Sequence, residues 1–194
     1  MRLIAALTIL ICGLGTLPAA ATSATARHYA LQTEASLVGY ETDFGPDKIT
    51  GTMPVTQADL TLDFHTLANC HVAVTLDASK ATASFPFAAQ ALRGPLVLDA
   101  ADHPQITFVS TAIHPTDTGA IIDGDLTIRG VTQPFTLVAT LYRQHGTATD
   151  DLTHLEIHLT GIVHRSAFGA TGWAEMVGDD VRLNIVARVA QTGA

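Results

Sequence analysis

Gly124-Asp-Leu-Thr-Ile-Arg-Gly-Val-Thr-Gln-Pro-Phe135 reads as the end of one strand, a tight turn and the start of the next. Leu126 and Ile128 fall on one face, and Thr127 and Arg129 on the other, because side chains along a strand alternate. Gly130 can take the positive φ that a tight turn uses. The turn is expected from Gly130 to Pro134, with Pro134 preventing it from running on as helix.

The same period of two extends outward from this hairpin in both directions. Residues 29–44 read as one long strand or two short ones, with Val38 and Tyr40 on a shared face. Over 58–65, Leu60, Leu62 and Phe64 alternate with Asp59, Thr61, Asp63 and His65, the pattern of a strand with one buried face. Cys70, Val72, Val74 and Leu76 repeat it after a turn at Ala68-Asn69. Ile106 and Phe108 lead a strand over 105–113, and Leu137 sits in the strand that follows the opening hairpin. Leu155 and Ile157, then Leu183 and Ile185, mark the last two strands. Gly51 and Pro54 make 48–56 an irregular or edge strand. The pattern breaks only between Asp77 and Pro104, where 85–92 has helical spacing, with Phe87, Ala91 and Leu92 near one face. This long connection is expected to cover an opening or one end of a sheet. The fold class is therefore all-β, with eight or more antiparallel strands and a helix in one connection. Period alone fits a closed barrel or a two-sheet sandwich equally. A barrel of about eight strands can enclose one small ligand, and these inner faces would make its interior apolar.

The first residues look like an export signal: Arg2, then an apolar run over 3–17, then Pro18 and the small residues Ala19-Ala20-Ala21. The run is short for a membrane span of about 20 residues. A leader over 1–21 is expected, with Ala24-Thr25-Ala26 as a second site that would move cleavage to 26, leaving one domain over 27–192. Without Arg2 the chain has nine basic against eighteen acidic residues, a net charge of −9. That charge argues against nucleic-acid partners and against electrostatic docking on anionic lipid. One cysteine, Cys70, remains after the leader, so no internal disulfide forms, and its apolar strand suggests a buried, inert thiol.

No catalytic motif emerges. Ser166, in His164-Arg165-Ser166-Ala167-Phe168, lacks the flanking glycines of a nucleophile elbow. No Cys-x-x-Cys-His run provides covalent haem attachment. His154 and His158 stand four apart on a strand, about 13 Å from one another, too far to share one zinc ion. His65 and His71 flank a turn with no carboxylate or thiolate partner in reach, so no metal site is assigned. Arg93, Arg129 and Arg165 sit at strand ends or loops, where a guanidinium suits an anionic or planar head group or a fold-pinning contact. Trp173 lies in a glycine-rich loop, as a lip residue would.

Three stretches together resemble one family. They are 124–135 as quoted, Asp102-His103-Pro104 leading into Ile106-Thr107-Phe108, and His164-Arg165-Ser166-Ala167-Phe168-Gly169 leading to Val177-Gly178-Asp179-Asp180-Val181. With Ser36-Leu37-Val38-Gly39-Tyr40 near the start, their order and spacing are similar to the YceI-like lipid/polyisoprenoid-binding family. The chain departs from that pattern at Gly51-Thr52-Met53-Pro54, where the family has Gly-x-Phe, and at His164, where it often has Asn. The resemblance implies a lipocalin-like, eight-stranded antiparallel barrel and a non-enzymatic protein, periplasmic or secreted. It implies a tunnel for an isoprenoid chain, a quinone tail or polyprenyl lipid, with no cofactor required. The expected lining is Val38, Tyr40, Leu60, Leu62, Val72, Val74, Phe108, Leu126, Ile128, Leu137, Leu155, Ile157, Leu183 and Ile185, with Arg129 or Arg165 at a head group. A membrane cytochrome or quinone-using enzyme, and a second copy in a homodimer, are the protein partners this reading admits. Two rivals remain at this point: a haem- or metal-binding redox-accessory protein, and a ligandless stress-response barrel filled by its own side chains.

Overall fold

The computed structural model describes residues 26–143 and 151–192. The expected leader over 1–21 and most of the polar loop after the eighth strand lie outside them. The described residues form β1 (Arg27–Leu31), β2 (Leu37–Phe44), β3 (Asp47–Thr52), β4 (Val55–Leu62), β5 (His71–Asp77), helix α1 (Pro86–Arg93), β6 (Gln105–Pro115), β7 (Gly119–Ile128), β8 (Val131–Arg143), β9 (His154–His164) and β10 (Val177–Gln191).

All pairings are antiparallel, and they close on themselves. β10 pairs with β9 on one side; on the other it pairs with β2 along its first part and with β1 at its end. β2 in turn pairs with β3, and β1 with β4. β1 and β2 are thus two pieces of one stave, broken by a 3-10 turn over Thr33–Ala35. β3 and β4 are two pieces of the next, broken at Met53-Pro54. Ten strands make an eight-stave closed barrel. Closure decides between the two architectures that alternation left open. It rests on the meeting of Tyr29 with Gln191 and Leu31 with Val189, residues far apart in the chain. Where the second stave breaks, the chain after β5 fills in beside β3: Thr82 N–H donates to the Thr52 carbonyl at 2.9 Å and Ser84 N–H to the Thr50 carbonyl at 2.7 Å.

The opening hairpin is β7–β8, and its turn is shorter than expected. Arg129 and Gly130 alone form it, both at positive φ (54° and 74°), and Ile128 pairs directly with Val131. Two left-handed residues give the turn the twist of the flanking strands. Pro134 is not in the turn. It lies in β8 opposite Asp125, before β9 begins to pair with β8 at Val138, where a missing N–H is tolerated.

Two further expectations change. Alternation puts Asp63 on the solvent face of a strand over 58–65. β4 instead ends at Leu62, and Asp63 is 1% exposed. Its Oδ1 accepts the His65 and Thr66 N–H groups and its Oδ2 accepts the Asn69 side-chain amide, each at 2.9 Å, which ties up the turn before β5. Helix α1 does form, but its Phe87 is 85% exposed while Leu92 packs on the core. α1 is a cap seated by one edge.

Candidate ligand cavity

Inward-facing residues from all eight staves enclose a cavity of about 1060 Å³, at the upper end of the 300–1,000 Å³ usual for small-molecule sites. The interior is therefore not filled by side chains, and the packed ligandless barrel is set aside. One end is filled by a plug of Tyr29, Leu60, Leu155 and Val189, with Phe64 edge-on to Tyr29 at 6.4 Å; Leu60, Val189 and Phe64 form its face toward the cavity. The other end is built from the β2–β3 turn, the long connection with α1, the β7–β8 turn and the loop between β9 and β10.

Thirteen of the fourteen residues expected on the inner wall line this cavity: Val38, Tyr40, Leu60, Leu62, Val72, Val74, Phe108, Leu126, Ile128, Leu137, Ile157, Leu183 and Ile185. Leu155 has the right parity but sits deeper, inside the plug. The alternation of one strand needs a correction that only the structure supplies. β6 carries an irregularity between Ser110 and Ala112, so Phe108 and Ile113 both face inward despite their odd spacing. There the Ser110 hydroxyl takes over a rung, accepting the Val72 N–H at 2.9 Å. The wall also includes Met53, in the stretch that departs from the family pattern.

Few polar groups reach the lining, and the buried ones, Tyr40, Thr42 and Arg165, are satisfied, Thr42 through its hydroxyl to the Gly178 carbonyl at 3.3 Å. The Tyr40 hydroxyl donates to the Thr82 carbonyl at 2.5 Å, and burial pushes its pKa up to about 12. Gly51 makes room for this contact, because a Cβ there would overlap both the Tyr40 hydroxyl and the Thr82 carbonyl oxygen. Arg165 is 8% exposed. Its Nε donates to Gly178, its Nη1 to Ala170 and Gly172, and its Nη2 to Val177, all backbone carbonyls at 2.6–2.9 Å. Burial lowers its pKa and the nearby Asp179 opposes that shift. Among the described residues no buried side-chain nitrogen or oxygen lacks a partner. Such a wall can hold an apolar chain by contact and has little with which to orient a polar group in its depth.

The two arginines expected at a head group are used for the architecture of the mouth. Arg165 gathers the β9–β10 loop around its guanidinium. Arg129, at the tip of the opening hairpin, donates through Nη1 to the Pro95 and Val97 carbonyls at 2.7 and 2.8 Å, pinning the long connection. Nothing in the sequence shows this use, since the acceptors are main-chain oxygens that any residue carries. Cys70 is half-buried on the cavity wall, and burial pushes its thiol pKa up.

His154 and His158 have separate partners. His158 lies 2.6 Å from Glu156 and against the Tyr142 ring, while His154 Nδ1 meets the Thr153 hydroxyl at 3.3 Å. His158 and then Arg188 hold the Glu156 carboxyl below its ordinary range. His164, Asp179 and Asp180 do converge at the end of the barrel, with ligand atoms within 4.8 Å of one another. His164 Nδ1 lies 2.9 Å from Asp180, and Asp179 accepts both the N–H and the hydroxyl of Ser166. This exposed cluster works as a brace between β9 and β10.

A closed antiparallel barrel around an apolar cavity, capped by a helix, is a lipocalin-like architecture. The chain belongs to the YceI-like domain family, whose model matches residues 29–189. Its fold is similar to that of BcnA from Burkholderia cenocepacia (TM-score 0.73, 22% identity, 83% of this chain and 99% of that one). It is also similar to a polyisoprenoid-binding domain from Saccharophagus degradans (TM-score 0.61, 10% identity, 86% and 99%) and to a YceI protein from Campylobacter jejuni (TM-score 0.56, 18% identity, 95% and 94%). No curated protein sequence matches the chain.

Proposed function

We propose that the protein is an exported carrier of an isoprenoid lipid, a quinone or a polyprenyl compound, whose tail it holds in the barrel. The observation that carries this reading is the cavity: about 1060 Å³, walled by aliphatic and aromatic side chains, with Tyr40 and Arg165 already committed to carbonyls. The polyisoprenoid-binding domain among its structural relatives supports the same ligand class. Binding is burial alone: each methylene taken out of water contributes about 0.8 kcal/mol, offset in part by ordering the flexible tail. No bond is made or broken, and no cofactor takes part in the carrying. The apolar start of the chain, read as a leader, supports a periplasmic or secreted location. The donor or acceptor of its lipid would be a membrane system such as a cytochrome or quinone-using enzyme.

The test is purification from the exported fraction of its native host, followed by mass spectrometry of an organic extract. A stoichiometric prenyl lipid is expected. A preparation with no lipid but a Soret band or a bound metal would overturn the proposal in favour of a redox-accessory role.

A further inference from the structure

The mouth of the cavity carries large apolar side chains that solvent reaches. Phe87 is 85% exposed, and Phe85, Leu96, Trp173 and Met176 are each between 42% and 58% exposed. All five also line the cavity opening, so they form a rim continuous with the inner wall. They come from two separate segments that the structure ties together, Gly172 N–H donating to the Leu96 carbonyl at 2.8 Å, while Gly45 N–H in the β2–β3 turn donates to the Met176 carbonyl at 3.1 Å.

The charge of this end differs from that of the whole chain. The chain has a net charge of −8, yet the long connection over 77–104 is near balance, with Asp77, Asp99 and Asp102 against Lys80 and Arg93, and its rim-bearing part over 85–96 has Arg93 as its one charged residue. Lys80 is paired with Asp77 at 3.2 Å, and Arg93 is exposed beside the rim. The β9–β10 loop adds Glu175 as its only acid over 165–178, and the β2–β3 turn adds Asp47, with Lys48 paired to Glu41. The argument from net charge against an anionic surface is therefore weaker at the rim than over the whole chain.

We propose that this end of the barrel docks on a phospholipid bilayer, with the aromatic rim in the boundary between head groups and acyl chains and Arg93 facing the phosphates. This rests on reading the cavity as a site for an isoprenoid chain. Such a chain is stored in bilayers, and a mouth seated in the membrane lets it pass without crossing water. Aromatic side chains favour that boundary, and binding there grows with the apolar area inserted and with attraction to anionic lipid. An apolar rim with the exposed guanidinium of Arg93 beside it matches a bilayer surface, where acyl chains and phosphates lie side by side.

Trp173 is the only tryptophan, so the rim reports on itself. Purified protein is mixed with vesicles of phosphatidylcholine, or of equimolar phosphatidylcholine and phosphatidylglycerol, with and without brominated acyl chains. Sedimentation gives partition and Trp173 emission gives depth. Partition stronger on the anionic mixture, with emission quenched by the brominated chains, is expected. Phe87→Glu should weaken partition about tenfold or more, since it removes one inserted aromatic. Val138→Glu, on the outer wall and 49% exposed, should leave partition unchanged. Both positions are solvent-facing, and an unchanged unfolding midpoint confirms the fold of each variant. Absence of partition on both vesicle types, unquenched Trp173, or equal losses in the two variants would each overturn the proposal. Lipid extraction from the same samples separates the two readings. A prenyl lipid retained by Phe87→Glu with partition lost supports both. A lipid-free wild type that still partitions strikes the carrier reading and leaves the docking surface standing.

Discussion

Replacing Arg165 by Met tests whether one buried guanidinium organises the mouth. The side chain donates four hydrogen bonds, to Gly178, Ala170, Gly172 and Val177. A hydrogen bond involving a charged group contributes about 1.5–3 kcal/mol. Four of them do not simply add, because the free guanidinium regains hydration in the unfolded chain and water can enter to some of the abandoned carbonyls. Single substitutions rarely exceed about 5 kcal/mol. A loss of about 3–5 kcal/mol is therefore expected, the usual cost of removing one side of a buried charged interaction. For a domain of this size that is a fall in Tm of about 6–20 °C. Arg165→Lys should recover only part of it, because an ammonium has three donors at one point and cannot span carbonyls spread along the loop. Calorimetry or urea unfolding gives the global number, and amide exchange over 169–177 gives the local one. A Met variant melting within about 2 °C of wild type, with unchanged exchange in that loop, would refute the reasoning and show the loop to be self-supporting.

Other consequences can be measured on the same preparation. Gly51→Ala should destabilise by about 1–3 kcal/mol or more, the cost of overpacking, because the new Cβ meets the Tyr40 hydroxyl and the Thr82 carbonyl; urea midpoints test this. Tyr40 has its pKa raised from 10.0 to about 12, so the folded state favours the neutral phenol. Its contribution is fully present below pH 10 and is lost as pH rises through 12, a change of about 2–3 kcal/mol at most. Tyr40→Phe should remove that share of the alkaline step in a urea-midpoint series, leaving the share of Tyr29, which burial also raises. Leu183→Trp fills space on the cavity wall; it should lower the lipid recovered per protein while leaving secondary structure intact, as extraction and circular dichroism would show.

Much of the barrel was legible because its inner wall obeys one rule. Leu60 and Leu62, Val72 and Val74, Leu126 and Ile128, and Leu183 and Ile185 could be placed by alternation, since the pleat makes burial a matter of parity. Leu155 shows where parity stops. It gives the face and not the depth, so a residue of the plug cannot be told from one of the cavity. Ile113 shows a second limit, because a bulge shifts parity with no mark in the pattern of apolar residues. Closure was not legible, since it rests on main-chain pairing between β1 and β10, distant in sequence and ordinary in composition. The functions of Arg129, Arg165 and Asp63 were hidden for the same reason: their partners are largely backbone groups. Helical spacing puts Phe87 near one face with Ala91 and Leu92, and only the seating of α1 on one edge separates Leu92 on the core from Phe87 in solvent.

The short run of chain beside β3 links capping to solubility. Two backbone hydrogen bonds, Thr82 to Thr52 and Ser84 to Thr50, hold that run in place immediately before α1 begins. If α1 swung far enough to pull them apart, β3 would show a row of unpaired amides and carbonyls, a template on which another chain could add a strand. The barrel owes its freedom from sticky margins at this point to the same tether that keeps its cap closed. A wide-open state is therefore also an aggregation-prone one, and selection for solubility alone would favour an exchange route that moves side chains at the rim and leaves those two bonds intact.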